Sequence, residues 1–128
     1  MSLATCAVTM MLPVEDVDRA KEFYVEKLGL DFTGTNEEGS AVFDLAGGSS
    51  LMLLPRPGGT RSQATALSWA VDDVEQTVQE LEAQGVAFED YDLPGLKTVG
   101  HIATMEGEQA AWFCDPDGNV LCVHHRAY

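Results

Sequence analysis

The chain is short of positive charge: 7 Lys and Arg stand against 21 Asp and Glu, a formal net charge of −14 at pH 7. Such a surface repels phosphate backbones and anionic headgroups, which argues against nucleic acid and acidic membranes as partners. Long apolar runs are missing too. No window approaches the ~18 consecutive apolar residues of a membrane span, and no basic region precedes an apolar stretch near the N-terminus, so neither a spanning helix nor a secretory leader is expected. Cysteine is scarce. Cys6, Cys114 and Cys122 are odd in number and form no CxxC pair, which fits reduced thiols in a cytoplasmic protein.

What the chain does have is a pattern stated twice. Val14-Glu15-Asp16-Val17-Asp18 returns 57 residues later as Val71-Asp72-Asp73-Val74-Glu75. Each copy follows a short apolar segment and opens a run of helical period. Each run stops at a glycine, followed by an apolar residue and a phenylalanine two places on: Gly29-Leu30-Asp31-Phe32 and Gly85-Val86-Ala87-Phe88. A repeat of this length means two modules of roughly 60 residues, too small to hold a core alone. The spacing predicts an α+β fold of two tandem β-α-β-β-β modules, the first over 5–55 and the second over 65–126. The stretch 56–64 has the Pro, Gly and Ser content of a connection.

In module one, strands are expected at 5–13, 30–35, 40–46 and 50–55, with a helix capped by Asp16 and burying Val17, Ala20, Tyr24 and Leu28. In module two, a strand at 65–71 leads to a helix near 73–84 capped by Asp72 or Asp73, then strands at 86–91, 109–114 and 119–125. Residues 92–108 have no counterpart in module one. A short strand is expected at 98–105, and the stretch reads either as a surface excursion or, with Gly95, Gly100 and Gly107 around Leu96, Val99 and Ile102, as a movable cover over a pocket. Asp115-Pro116-Asp117-Gly118-Asn119 reads as a tight hairpin turn rather than a calcium loop, since its glycine comes early and no closing glutamate follows.

These residues together resemble the vicinal oxygen chelate superfamily, which spans glyoxalases, bleomycin-resistance proteins and extradiol dioxygenases. The resemblance rests on Val14 to Ala20, Phe23-Tyr24 and Leu28-Gly29-Leu30 in the first module. In the second it rests on Val71 to Val74, Gly85 to Phe88, and the hairpin Trp112 to Leu121. It implies two sheets curled around a U-shaped cavity. Its metal enzymes place a histidine in the first strand of a module and a glutamate in the last. Carried onto this chain, those positions hold Thr9, Ala66, a residue near Met52, and Cys122. None is a histidine or a carboxylate, so no cofactor and no metal at the usual position are expected.

Two function classes follow. The first is a metal-free protein that binds a small, partly apolar molecule, cationic or neutral given the acidic surface, as the family's resistance proteins do. Its cavity would be lined by Phe43, Trp69, His101, Phe113, Cys122 and His124. The second is a lyase, isomerase or dioxygenase with an atypical site, in which Cys122, His124 and His101 hold a soft divalent metal or act in catalysis. Asp92 and Tyr91 are further acid–base candidates. Across the hairpin, Phe113 and Ala111 are expected opposite Val120 and Cys122, with Trp112 and Cys114 under a helix. A homodimer is the expected assembly.

Overall fold

The computed structural model describes residues 2–59 and 62–126. Thr60 and Arg61, within the expected connection, lie outside the described residues. The chain divides into two compact units, Met1–Thr60 and Arg61–Tyr128.

Unit one runs β1 (Thr9–Val14), α1 (Val17–Glu22), β2 (Asp31–Thr35), β3 (Ala41–Asp44) and β4 (Ser50–Pro55). The sheet order is β1-β4-β3-β2, with β1 parallel to β4 and the other pairs antiparallel. Asp16 starts α1 by accepting the Arg19 N–H at 3.2 Å. The helix then widens into a π turn at Phe23–Lys27. Phe23 and Tyr24, three and four residues beyond Ala20, share its buried face. Tyr24 packs on Phe43 at 6.0 Å, and Phe43 on Phe32 at 5.6 Å. Leu12, Val14, Ala41, Leu51 and Leu53 complete this core. Alternation sends Met11, Val42 and Met52, which are cross-strand neighbours, to the opposite face. The expected first strand begins late: Leu3–Thr5 is a 3-10 turn held by Ser2, whose hydroxyl accepts the Ala4 N–H.

Unit two runs β5 (Thr65–Ala70), α2 (Val74–Ala83), β6 (Asp92–Leu93), β7 (Leu96–Val99), β8 (Ile102–Met105), β9 (Glu108–Cys114) and β10 (Val120–Arg126). The order is β5-β10-β9-β8-β7-β6, with β5 parallel to β10. Asp73 caps α2 as Asp16 caps α1, accepting the Gln76 N–H at 3.0 Å. Leu67, Val74, Val78, Val86, Ala111, Phe113, Leu121 and Val123 are buried and form the core.

Two expectations are corrected here. The strand at 86–91 shrinks to a single bridge between Phe88 and Phe113, joined by the Glu89 N–H to the Trp112 carbonyl at 2.8 Å. β8 occupies the other half of that edge of β9, pairing Ala103 with Ala110 and Met105 with Glu108. Residues 92–108 therefore extend the sheet as short antiparallel strands, two where one was expected at 98–105, instead of forming a loose cover. Val99 and Ile102 are paired, so Gly100 and His101 make a two-residue turn with positive φ at both, 58° and 73°. The imidazole fastens this turn to the rest of the unit. Its Nδ1 lies 3.0 Å from Asp90 Oδ1 and its Nε2 lies 3.4 Å from Glu82 Oε2, while the ring stacks on Phe88 at 6.2 Å.

The β9–β10 turn sets the register that matters most. Asp115, 5% exposed, accepts from the Asp117 N–H, the Asn119 N–H and the Asn119 side-chain amide at 2.8–2.9 Å. Gly118 supplies the positive φ of 86°. Val120 then faces Cys114, Leu121 faces Phe113 and Cys122 faces Trp112. The expected pairing of Phe113 with Cys122's face is overturned by this turn. Replacing Asp115 with alanine strands buried donors and should cost about 2–3 kcal/mol. A lower urea midpoint at unchanged m-value is the expected readout.

Candidate functional site

The register puts α2 on one face of the unit-two sheet and leaves a hollow of about 250 Å³ on the other. Its floor is Trp112, Cys122 and Ala110, which alternate with the core residues Phe113, Ala111, Leu121 and Val123. Thr65, Ser68 and His124 form one wall, and Glu108, Arg126 and Met105 the other rim. Most of it comes from β9 and β10, so one hairpin turn positions most of the site.

Each polar group in the hollow has a definite partner. The Trp112 indole N–H donates to Thr65 Oγ1 at 3.1 Å, and Tyr91 packs edge-on against the indole at 5.6 Å. The ring is thus held in one plane where it lines the hollow. Ser68 Oγ lies 2.5 Å from His124 Nδ1, which fixes the imidazole and leaves Nε2 as the ring nitrogen available to a ligand. Arg126 Nε lies 3.6 Å from Glu108 Oε2, balancing charge at the rim.

Cys122 is 4% exposed, and burial pushes its thiol above the ordinary value; Glu108 adds to this, while hydrogen bonding from Ser68 and the Ala111 backbone offsets part of it. A thiol held in its protonated form is a poor nucleophile and a poor metal ligand. Tyr91 is likewise raised by burial and then by Glu89, so its phenol stays protonated at neutral pH. The expected consequence is selective labelling. At pH 8, iodoacetamide should modify exposed Cys6 and leave Cys122 unmodified in the folded protein, with Cys122 reacting only after denaturation. Peptide mass mapping checks it.

The family model for the Glyoxalase/Bleomycin resistance protein/Dioxygenase superfamily matches residues 6–123. The chain belongs to this superfamily. Among relatives, it is 25% identical over 122 residues to the uncharacterized protein YetH of Bacillus subtilis strain 168, covering 90% of this chain and 93% of that one. Among solved structures, it is similar to TnmS3, an antibiotic binding protein from Streptomyces sp. CB03234. That match has 26% identity and a TM-score of 0.70, over 98% of this chain and 99% of that one. A glyoxalase/bleomycin resistance protein from the same strain is 28% identical with a TM-score of 0.66, over 91% and 97% of the two chains.

The positions to which the resemblance carries the metal ligands can be placed in each unit. In unit one, Thr9 on β1 hydrogen-bonds to Ser50 on β4 through their hydroxyls at 2.8 Å, with the thioether of Met52 two residues further along β4. In unit two, β5 carries a bulge, because Val120 pairs with Thr65 while Leu121 pairs with Leu67. Ala66 falls in that bulge, and Ser68 sits across from Cys122. Hydroxyls, a thioether and a protonated thiol are poor donors for a divalent cation. Among the described residues, no group of three or more His, Cys, Asp and Glu side chains is placed to hold a metal ion.

The structure brings together two of the six lining residues named from sequence, Cys122 and His124. The other four are corrected. Phe43 is fully buried between the unit-one sheet and its helix, because it alternates with the open-face Val42. Phe113 lies in the unit-two core against Phe88 at 5.3 Å. Trp69 pairs with Val123 and shares its face, opposite Ser68 and Cys122. His101 is committed to Asp90, Glu82 and Phe88 at the hairpin tip, so the Cys122–His124–His101 grouping does not form. Asp92 is exposed on β6. Residues missing from the expected lining are Trp112, which was expected under a helix, Ser68, Thr65 and the Glu108–Arg126 pair. Ser68 was legible as the one hydroxyl inside Ala66-Leu67-Ser68-Trp69-Ala70, but counting back from Val71 pointed to Ala66.

Proposed function

We propose that this chain is a binding protein that holds a small, planar, partly apolar molecule on the open face of the unit-two sheet, without a metal and without turnover. One observation carries the reading: at the position to which the resemblance carries a ligating glutamate stands a buried Cys122, paired across the strands with Trp112 and with Ser68, which holds the His124 imidazole. A planar ligand gains by stacking on Trp112, and one polar atom of it reaches His124 Nε2. The likeness to an antibiotic binding protein at 26% identity supports a binding role over a catalytic one. The test is a thermal-shift screen of metal-stripped protein against a panel of aromatic antibiotics and other planar heteroaromatics, bleomycin included. Hits that stabilise wild type but not a Trp112→Ala variant support the reading. Conversion of any hit to product by the purified protein would replace it.

The working unit is proposed to be a homodimer in the cytoplasm. Among the described residues, no helix is long and apolar enough to cross a membrane. Sedimentation at micromolar concentration should give twice the 13.8 kDa chain mass, and the mass of one chain would refute the dimer.

A further inference from the structure

Unit two carries a second hollow, of about 490 Å³, on the α2 side of the sheet. It lies between the first turn of α2, which contributes Glu75, and the β7–β8 hairpin, which contributes Lys97, Val99, Ile102 and Thr104; Gln109 of β9 joins them. It is separate from the Trp112 hollow because alternation puts Thr104 and Gln109 on one face and Ala103, Met105 and Ala110 on the other. This hollow exists because residues 92–108 were built into strands.

Its chemistry is distinctive. Glu75, Lys97, Thr104 and Gln109 all line it, and among the described residues none of the four side chains has a hydrogen bond or ion pair. A carboxylate and an ammonium therefore share one hollow without neutralising each other. The same hollow has apolar surface from Val99, 75% exposed, and Ile102. In a chain with 7 basic and 21 acidic residues, a lysine and a glutamate that line one hollow without pairing offer a place complementary to a ligand that carries both charges.

We propose that this hollow is a binding site for a small amphiphilic zwitterion, of the size of a short apolar peptide. The ligand's carboxylate meets Lys97, its ammonium meets Glu75, and its apolar side chains cover Val99 and Ile102. Thr104 and Gln109 serve the peptide amide, since a hydroxyl and a carboxamide both donate and accept. The volume lies inside the roughly 300–1,000 Å³ range of small-molecule sites. The proposal is independent of any ligand in the Trp112 hollow.

The test is amide NMR titration of the full chain with the dipeptide Val-Leu, alongside its N-acetyl and C-terminal amide forms. Saturable shifts at Ile102, Thr104 and Gln109, with Cys122 and His124 unmoved, are the expected result. Each capped form should bind roughly 1.5- to fivefold more weakly, as expected for loss of one solvent-accessible charge contact. Lys97→Gln should abolish the preference for the free carboxylate, and Glu75→Gln the preference for the free amine. Both positions are exposed, so both variants keep the fold. No saturable shift up to 50 mM (about the weakest binding of interest), or equal binding of all three peptides, would overturn the proposal.

Discussion

Phe113→Ala should be the most damaging single change in unit two, costing about 3–5 kcal/mol. Phe113 is fully buried, packs against Phe88 and faces Leu121 across the hairpin. Truncating it opens a cavity where α2, β9 and β10 meet. Trp112→Ala, one residue earlier, removes a larger side chain yet should cost less than half as much, because the indole lies on the open face and loses a hydrogen bond to Thr65 and one ring contact. Urea unfolding of both variants checks the register directly. Were Trp112 the costlier loss, the strand would be inverted and the hollow would lie elsewhere.

The second large effect concerns ligand. Trp112→Ala should weaken binding of any compound held in the hollow by about tenfold to a hundredfold, the penalty for removing a central aromatic anchor. Ser68→Ala should weaken it less, because it frees the imidazole without removing Nε2. Phe43→Ala and Trp69→Ala should leave affinity nearly unchanged once stability is accounted for, since neither side chain reaches the hollow. Isothermal titration with a hit from the thermal-shift screen distinguishes these cases. Equal losses in Trp69→Ala and Trp112→Ala would contradict the placement.

The repeat made the fold legible. Asp16 and the pair Asp72-Asp73 announce their helices by spacing, and Asp16 and Asp73 take the capping roles in the structure. Gly29 and Gly85 end them with positive φ, 71° and 95°. The site was harder to read for a physical reason. Strand side chains alternate with a period of two, so an error of one residue moves a residue to the other face. The Asp115–Asn119 turn fixes that register through side-chain hydrogen bonds that a hydrophobic pattern does not display, and its effect was to exchange Phe113 and Trp112 between core and hollow. A bulge at Ala66 did the same on β5, bringing Ser68 opposite Cys122. Residues 92–108 looked like a cover because glycine marks both loose loops and tight hairpins. Their pairing with β9 decides in favour of hairpins.

The central claim is a metal-free binding face built on Trp112, and the chain's two tryptophans allow it to be tested alone. In a Trp69→Phe variant, Trp112 is the sole indole. The decisive measurement is fluorescence titration of that variant, stripped of divalent metal by chelator and verified by elemental analysis, with a planar hit from the screen. Saturable quenching, with the same affinity before and after adding zinc, manganese or nickel, is the predicted result. Binding that appears only when a divalent cation is restored, or that leaves the Trp112 emission unchanged, would contradict the account.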